Sequence, residues 1–211
     1  MPAYFDLDCR LCPRLVAHRA QIHAAYPTYH ARPVAPFGDN NPRLLIVGLA
    51  PGLHGANRTG RPFTGDFAGV LLFETLYRYG FSNQPMGSER DDGLRLIDCK
   101  ITNAVKCLPP VNKPLPYEIN QCNRYLHNEL NALHNVKVLL ALGRIAHQAV
   151  LSALNLKPKN YPFAHGAYHH LPNGLILYDS YHCSRYNTQT KRLTPEMFQA
   201  VFANIRAVLP L

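Results

Sequence analysis

Nineteen residues, GLAPGLHGANRTGRPFTGD from Gly48 to Asp66, gather groups suited to chemistry into one stretch: four glycines beyond the Pro51 break, Arg58, Arg61 and a closing Asp66. In an open α/β sheet, ligands sit beyond the carboxyl ends of the strands, so a loop delivered by a strand here is well placed to carry a site. Neither G-x-G-x-x-G nor G-x-x-x-x-G-K-[ST] occurs, and the common phosphate cradles fail on spacing. Cys9 and Cys12 form a C-x2-C pair. Two thiolates at that spacing can share a metal centre, and two buried cysteines would look the same. Asn103 offers an amide that donates and accepts at once.

The elements that must position these groups follow from hydrophobic pattern. LLIVGL, from Leu44, is an apolar run of strand length that breaks at Pro51-Gly52. FAGVLLFETLYRYG then places Leu72, Leu76 and Tyr79 on one helical face. LRLIDCKITNAVKCLPPVNKP contains a second strand of roughly seven residues ending near Asn103, so that Asn103 stands beside the first loop if the two strands are parallel neighbours. VKVLLALG is a third, fully apolar strand followed by the helix RIAHQAVLSAL, where His147 reads as a surface or packing residue rather than a ligand. GLILYDS is the fourth, followed by a polar loop; TPEMFQAVFANIRAVL, with Thr194 at the N-cap and Pro195 at N1, is the best-defined helix. Arg14 to Ala25 is a helix candidate, Tyr26 to Pro42 reads as extended and irregular, and Gly80 to Gly93 and Lys157 to Pro172 read as loops. This alternation predicts a three-layer α/β/α sandwich around a mainly parallel four-stranded sheet.

Length and composition narrow the partner. A chain of 211 residues suits one domain, spanning 1–211, and its 22 Lys and Arg against 13 Asp and Glu give a formal charge of +9. Such an excess attracts polyanions, and nucleic acid is the leading class. No membrane span or signal peptide is evident, so a cytoplasmic location is expected, where six cysteines argue for metal or buried-thiol roles over disulfides.

The segment from Gly48 to Asp66 closely resembles the first motif of the uracil-DNA glycosylase superfamily, in the form of its family 5 (type B) branch. ITNAVKC-x-PP-x-NKP resembles the second motif, and GLILYDSYHCSRYNTQTKRLT the last. Taken with Cys9 and Cys12, Cys107 and Cys122 complete a C-x2-C, long gap, C-x14-C pattern that resembles the [4Fe-4S] ligand set of families 4 and 5. Spacing alone suits an iron-sulfur cluster or zinc equally; the resemblance favours the cluster. Cys122 also lies on an apolar stripe with Ile119, Leu126, Leu130 and Leu133, and Cys99 reads as a core thiol.

The resemblance implies a base-excision glycosylase that hydrolyses the N-glycosidic bond of uracil in double- or single-stranded DNA, acting as a monomer, with hypoxanthine, xanthine and ethenocytosine as further substrates. By the same analogy Gly48, Phe63, Asn103 and Asn112 bind the everted base: Phe63 stacks on it and Asn103 reads its edge. His182 donates to uracil O2 as the base leaves as an anion, and Asp66 orients water and stabilises the sugar cation. A helix cap is an equally good reading of Asp66. Arg58, Arg61, Ser184, Arg185, Lys191 and Arg192 are assigned to DNA. Three departures stand out: Leu49 and Ala50 replace the carboxylate of the best-known branch, a change family 5 shares; Cys183 replaces a usual proline; Lys191 replaces a usual glycine. The rival readings are a noncatalytic nucleic-acid-binding protein with a structural metal site of four cysteines, and a redox or nucleotide-handling enzyme.

Overall fold

The computed structural model describes residues 5–210. The four expected strands become the parallel heart of one sheet, and two short antiparallel strands extend its edges. In chain order the strands are β1 (Phe37–Gly38), β2 (Leu44–Gly48), β3 (Cys99–Asn103), β4 (Val138–Leu142), β5 (Tyr168–His170) and β6 (Ile176–Ser180). Across the sheet they lie β1-β3-β2-β4-β6-β5. The sheet therefore has six strands where four were expected, and the second strand is five residues long rather than roughly seven. β1 and β5 fall in stretches that read as irregular or loop. At two and three residues, they exist only because β3 and β6 offer them an edge.

The helices are α1 (Pro13–Ala25), α2 (Ala56–Thr59), α3 (Phe67–Arg78), α4 (Pro116–Ala132), α5 (Arg144–Ala153), α6 (Arg185–Gln189) and α7 (Pro195–Val208). Side chains alternate across β2, so Leu44 and Ile46 face one layer while Leu45 and Val47 face the other. The first layer is built by α3 and α7 through Leu72, Phe73, Leu76, Phe198 and Phe202, and the second by α4 and α5 through Leu126, Val150 and Leu151. The expected three-layer sandwich is thus present, with α7 capped as its sequence implied: Thr194 accepts a hydrogen bond from the Met197 amide at 3.2 Å. By contrast α1 contributes only Leu15 as a buried residue, and α6 occupies a stretch that read as a polar loop.

Register decides where the loops emerge. Gly48 pairs with Asn103, Val47 with Ala141, and Leu142 with Ser180, so four strands end along one rim. That rim carries the loop after β2, the segment after β3, and the turn from β6 into α6.

Candidate functional site

A cavity of about 380 Å³ opens at this rim, and Phe63, Asp66, Asn103, Asn112, His182 and Ser184 all line it. Three loops far apart in the chain therefore converge on one space, as the parallel register requires. Leu49, Ala50, Phe67 and Ala68 complete an apolar wall.

Gly48 sets the closest approach. A Cβ there would stand 2.5 Å from Asn103 Oδ1 and 2.8 Å from the Phe63 ring, so only glycine lets the two meet at the strand end. Phe63 itself sits at φ +59, a left-handed backbone that costs a bulky residue strain and is found where a site over-determines it. Its ring lies 5.8 Å from that of His182 at an interplanar angle of 22°. Asn103 is buried, and its Oδ1 has no hydrogen-bond partner among the described residues. Buried polar atoms are rarely left so, and an orphan on a cavity wall can accept a hydrogen bond from whatever enters the cavity.

Asp66 occupies the N-cap position of α3 by backbone, yet its side chain makes no cap bond to that helix. Its Oδ2 instead accepts from the Ala56 amide at 3.1 Å, and the Gly52 amide also donates to the carboxyl, so Asp66 latches the loop from across the cavity wall. Burial pushes its pKa up, with these two amides working in the opposite direction. The close fit explains Gly52 and Gly55, where a Cβ would fall 2.4 and 1.9 Å from the same carboxyl group.

His182 is half-buried, and desolvation brings its pKa down to about 4, so the imidazole is neutral at pH 7. Its carbonyl accepts from Asn187 Nδ2 at 2.8 Å, which ties the turn that lacks proline at 183. Cys183 is fully buried, and burial pushes its thiol up to about 12, so it packs as an apolar side chain.

The cationic residues divide into two groups. Arg61, expected on the DNA, is only 4% exposed: Nη1 and Nη2 donate to Asp92 at 2.8 and 2.7 Å, Nε donates to Thr64 at 2.6 Å, and the guanidinium lies over Phe37. It is a structural residue that fastens the 80–93 insert, whose Asp92 no local pattern distinguished. Arg58 is also engaged, with both Glu89 oxygens at 2.8 and 2.9 Å. Arg185, Lys191 and Arg192 are exposed, Arg185 over Phe67 at the cavity mouth and Arg192 over Tyr181. Ser184 caps α6, accepting from the Asn187 amide. Lys191 adopts φ +57, the conformation for which glycine is the natural residue. Tyr186, which carried no signal in the sequence, is 70% exposed on α6 beside the cavity.

Cys9, Cys12, Cys107 and Cys122 line one cleft with Leu15, Val105 and Tyr125. They come from the segment before α1, the loop after β3, and α4. The Lys106 amide donates to Cys122 Sγ at 3.2 Å. Burial pushes the thiols of Cys107 and Cys122 up to about 12 and 11, so they are neutral at pH 7 unless a metal holds them as thiolates. Tetrahedral zinc with bonds near 2.3 Å would bring sulfurs to about 3.8 Å from one another. Four thiols brought together from three segments are a donor set of the kind that holds zinc or an iron-sulfur cluster. Cys99 is a fully buried core thiol, as expected.

The family model described as Uracil DNA glycosylase superfamily matches residues 35–206. The chain is 49% identical over 208 residues to a type-5 uracil-DNA glycosylase of Thermus thermophilus, covering 96% of this chain and 94% of that protein. It is 41% identical over 205 residues to a type-5 uracil-DNA glycosylase of Pyrobaculum aerophilum, covering 95% and 89%. A type-4 uracil-DNA glycosylase of Archaeoglobus fulgidus is 32% identical over 152 residues, covering 72% and 62%.

Proposed function

The chain belongs to the uracil-DNA glycosylase superfamily, in its type-5 branch, and from that premise we propose how its own residues perform base excision. It is a monofunctional glycosylase that removes uracil from DNA and leaves an abasic site. A base inside a duplex is out of reach of a hydrolytic site, so the nucleotide is everted into the cavity and recognised there by its hydrogen-bonding edge. The reading is carried by the convergence of Phe63, His182 and the partnerless Asn103 Oδ1 on one space.

Phe63 stacks on the uracil. Asn103 Oδ1 accepts from N3-H while its amide nitrogen donates to O4, and Asn112 closes the far side. His182, neutral, donates to O2 as the glycosidic bond lengthens and negative charge gathers on the departing base. Asp66 orients the attacking water and faces the cationic sugar; its raised pKa lets it accept a proton more readily than an exposed carboxylate would. The apolar wall at Leu49 and Ala50 leaves room for hypoxanthine, xanthine and ethenocytosine beside uracil. Arg185, Lys191 and Arg192 meet the phosphates, and exposed Tyr186 takes the wedge position in the minor groove. Cys9, Cys12, Cys107 and Cys122 hold a [4Fe-4S] cluster whose role is structural, fastening the N-terminal segment to the loop that follows Asn103.

A duplex oligonucleotide with a single uracil tests the assignment: abasic product from the parent enzyme supports it, and binding without product favours a noncatalytic DNA-binding protein. Three substitutions probe the architecture. Gly48→Ala pushes Phe63 or Asn103 off the base and lowers the single-turnover rate by roughly a hundredfold, as expected for a displacement of about 1 Å at a reacting centre. The fold is retained, as circular dichroism will report. Arg61→Ala leaves Asp92 without its partner and costs about 3 kcal/mol of stability in urea unfolding. It does not change the salt dependence of DNA binding. Arg185→Ala does the reverse, leaving stability within about 0.5 kcal/mol and reducing the slope of log K against log salt by about 1.

A further inference from the structure

Three titratable side chains with no part in this chemistry meet on the α5 face of the sheet. His169 on β5 pairs across the strands with Leu177 of β6, and Asp179 lies two residues further along β6, so both point to the same face. His147, near the start of α5, descends on them. It is buried at 2% exposure, which agrees with the packing alternative for this residue, but its ring does more than fill space.

His147 Nε2 lies 2.9 Å from the Tyr161 carbonyl. A carbonyl only accepts, so Nε2 carries a hydrogen; Nδ1 faces Asp179 Oδ1 at 2.8 Å, and because a carboxylate also only accepts, that contact needs either a second proton on the ring or a metal ion between the two atoms. Asp179 is fully buried, and its second oxygen, Oδ2, has no hydrogen-bond partner among the described residues. Neither has His169 Nε2, 3.5 Å from it. The donor atoms of all three residues lie within 4.8 Å of one another. Two buried polar atoms, Asp179 Oδ2 and His169 Nε2, therefore face each other without a hydrogen-bond partner, beside a His147–Asp179 contact that a proton or a metal ion can bridge.

We propose that His147 Nδ1, His169 Nε2 and Asp179 form a site for a divalent transition-metal ion of the zinc class, distinct from the cysteine centre. Two imidazoles and one carboxylate suit zinc, whereas calcium and magnesium prefer all-oxygen shells. Tetrahedral zinc at 2.0 to 2.2 Å from N and O ligands places them about 3.4 Å apart; His147 Nδ1 lies 2.8 Å from Asp179 Oδ1 and His169 Nε2 3.5 Å from Asp179 Oδ2, with one ligand atom from each residue within 4.8 Å of the others, so modest side-chain adjustment brings the three to that spacing. The Tyr161 carbonyl already supplies the outer hydrogen bond that fixes a ligating histidine. The Phe163 and Tyr161 rings stand 5.6 and 5.7 Å from His147 and His169, giving the site an apolar rim. His169, 14% exposed on the edge strand, is the member of the group nearest solvent. The ion would clamp β5 and the 158–170 segment to the strand that leads, three residues after Asp179, to His182.

The test uses holoprotein purified anaerobically with its iron in place, stripped of loosely held metal by a chelator, titrated with Zn²⁺ and desalted. The expected result is one zinc per chain beyond the iron, with nitrogen and oxygen but no sulfur at the zinc absorption edge. His169→Ala and His147→Ala should abolish retention, and His165→Ala, altering a nearby histidine outside the group, should retain it. No zinc in the parent overturns the proposal, as does sulfur ligation or undiminished zinc in His169→Ala. His169 lies on an edge strand, so that variant is informative even if His147→Ala fails to fold.

Discussion

His182→Ala lowers the single-turnover rate on uracil-containing duplex by roughly a hundred- to a thousandfold, about 2.7 to 4 kcal/mol of transition-state stabilisation, while DNA affinity changes little. The effect is that large because a donor aimed at developing charge in a desolvated cavity is worth most at the moment the base leaves. Burial holds the imidazole near 4, so it keeps its single N-H across the neutral range. The parent rate should therefore show no titration of His182 between pH 5 and 8. The same shift has a consequence for stability. The folded pKa lies below the ordinary value of 6.5, so the unfolded state binds the proton more readily. Stability from this group is complete above about 6.5 and is lost as the pH falls towards 4. His182→Ala should flatten that part of the stability profile, measured by urea unfolding at a series of pH values. A wild-type rate in the variant would remove His182 from the mechanism.

Cys122→Ala is expected to strip the proposed cluster and lower the melting temperature by more than about 10 °C, because binding energy at a metal centre is folding energy for the segments it joins. Apart from the Arg14–Glu118 ion pair and a few backbone hydrogen bonds from residues 30–34, the N-terminal region is held by a small apolar cluster. Of α1's residues only Leu15 is buried, and the local core consists of Phe5, Leu15, Val105, Tyr125 and the cysteines themselves. The observable is iron content together with protease sensitivity of residues 5–35: the variant loses both iron and protection, while the sheet persists by circular dichroism. Cys99→Ala, in the strand core, should retain the full iron content. Should Cys122→Ala keep its iron, the cluster assignment is wrong. Activity should follow the proposed cluster indirectly, since Cys107 lies four residues after Asn103 on the loop that leaves β3.

Much of this architecture is legible in the linear chain, for reasons that are local. Buried parallel strands demand continuous apolar runs, and β2, β4 and β6 announce themselves that way. Thr194-Pro195 marks the start of α7 because a cap and a fixed φ act within one turn. Likewise, once these strands are parallel, Phe63, Asn103 and His182 must gather at one rim, as they do.

What escaped depends on partners distant in the chain. Arg61 looks like any loop arginine until Asp92 folds back on it, and Asp66 has the address of a helix cap while its carboxyl group turns to Ala56. β1 and β5 are too short to carry a period and arise only from the edges they meet. His147, His169 and Asp179 share no motif; register and one crossover bring them together. Residue types and spacing thus determined which chemistry the chain can perform, since hydrophobic period, turn residues and thiol spacing act over a few residues. Which charges are free to meet DNA, and which are spent inside the protein, was decided only in three dimensions, because burial and pairing belong to the assembled surface and not to any segment of it.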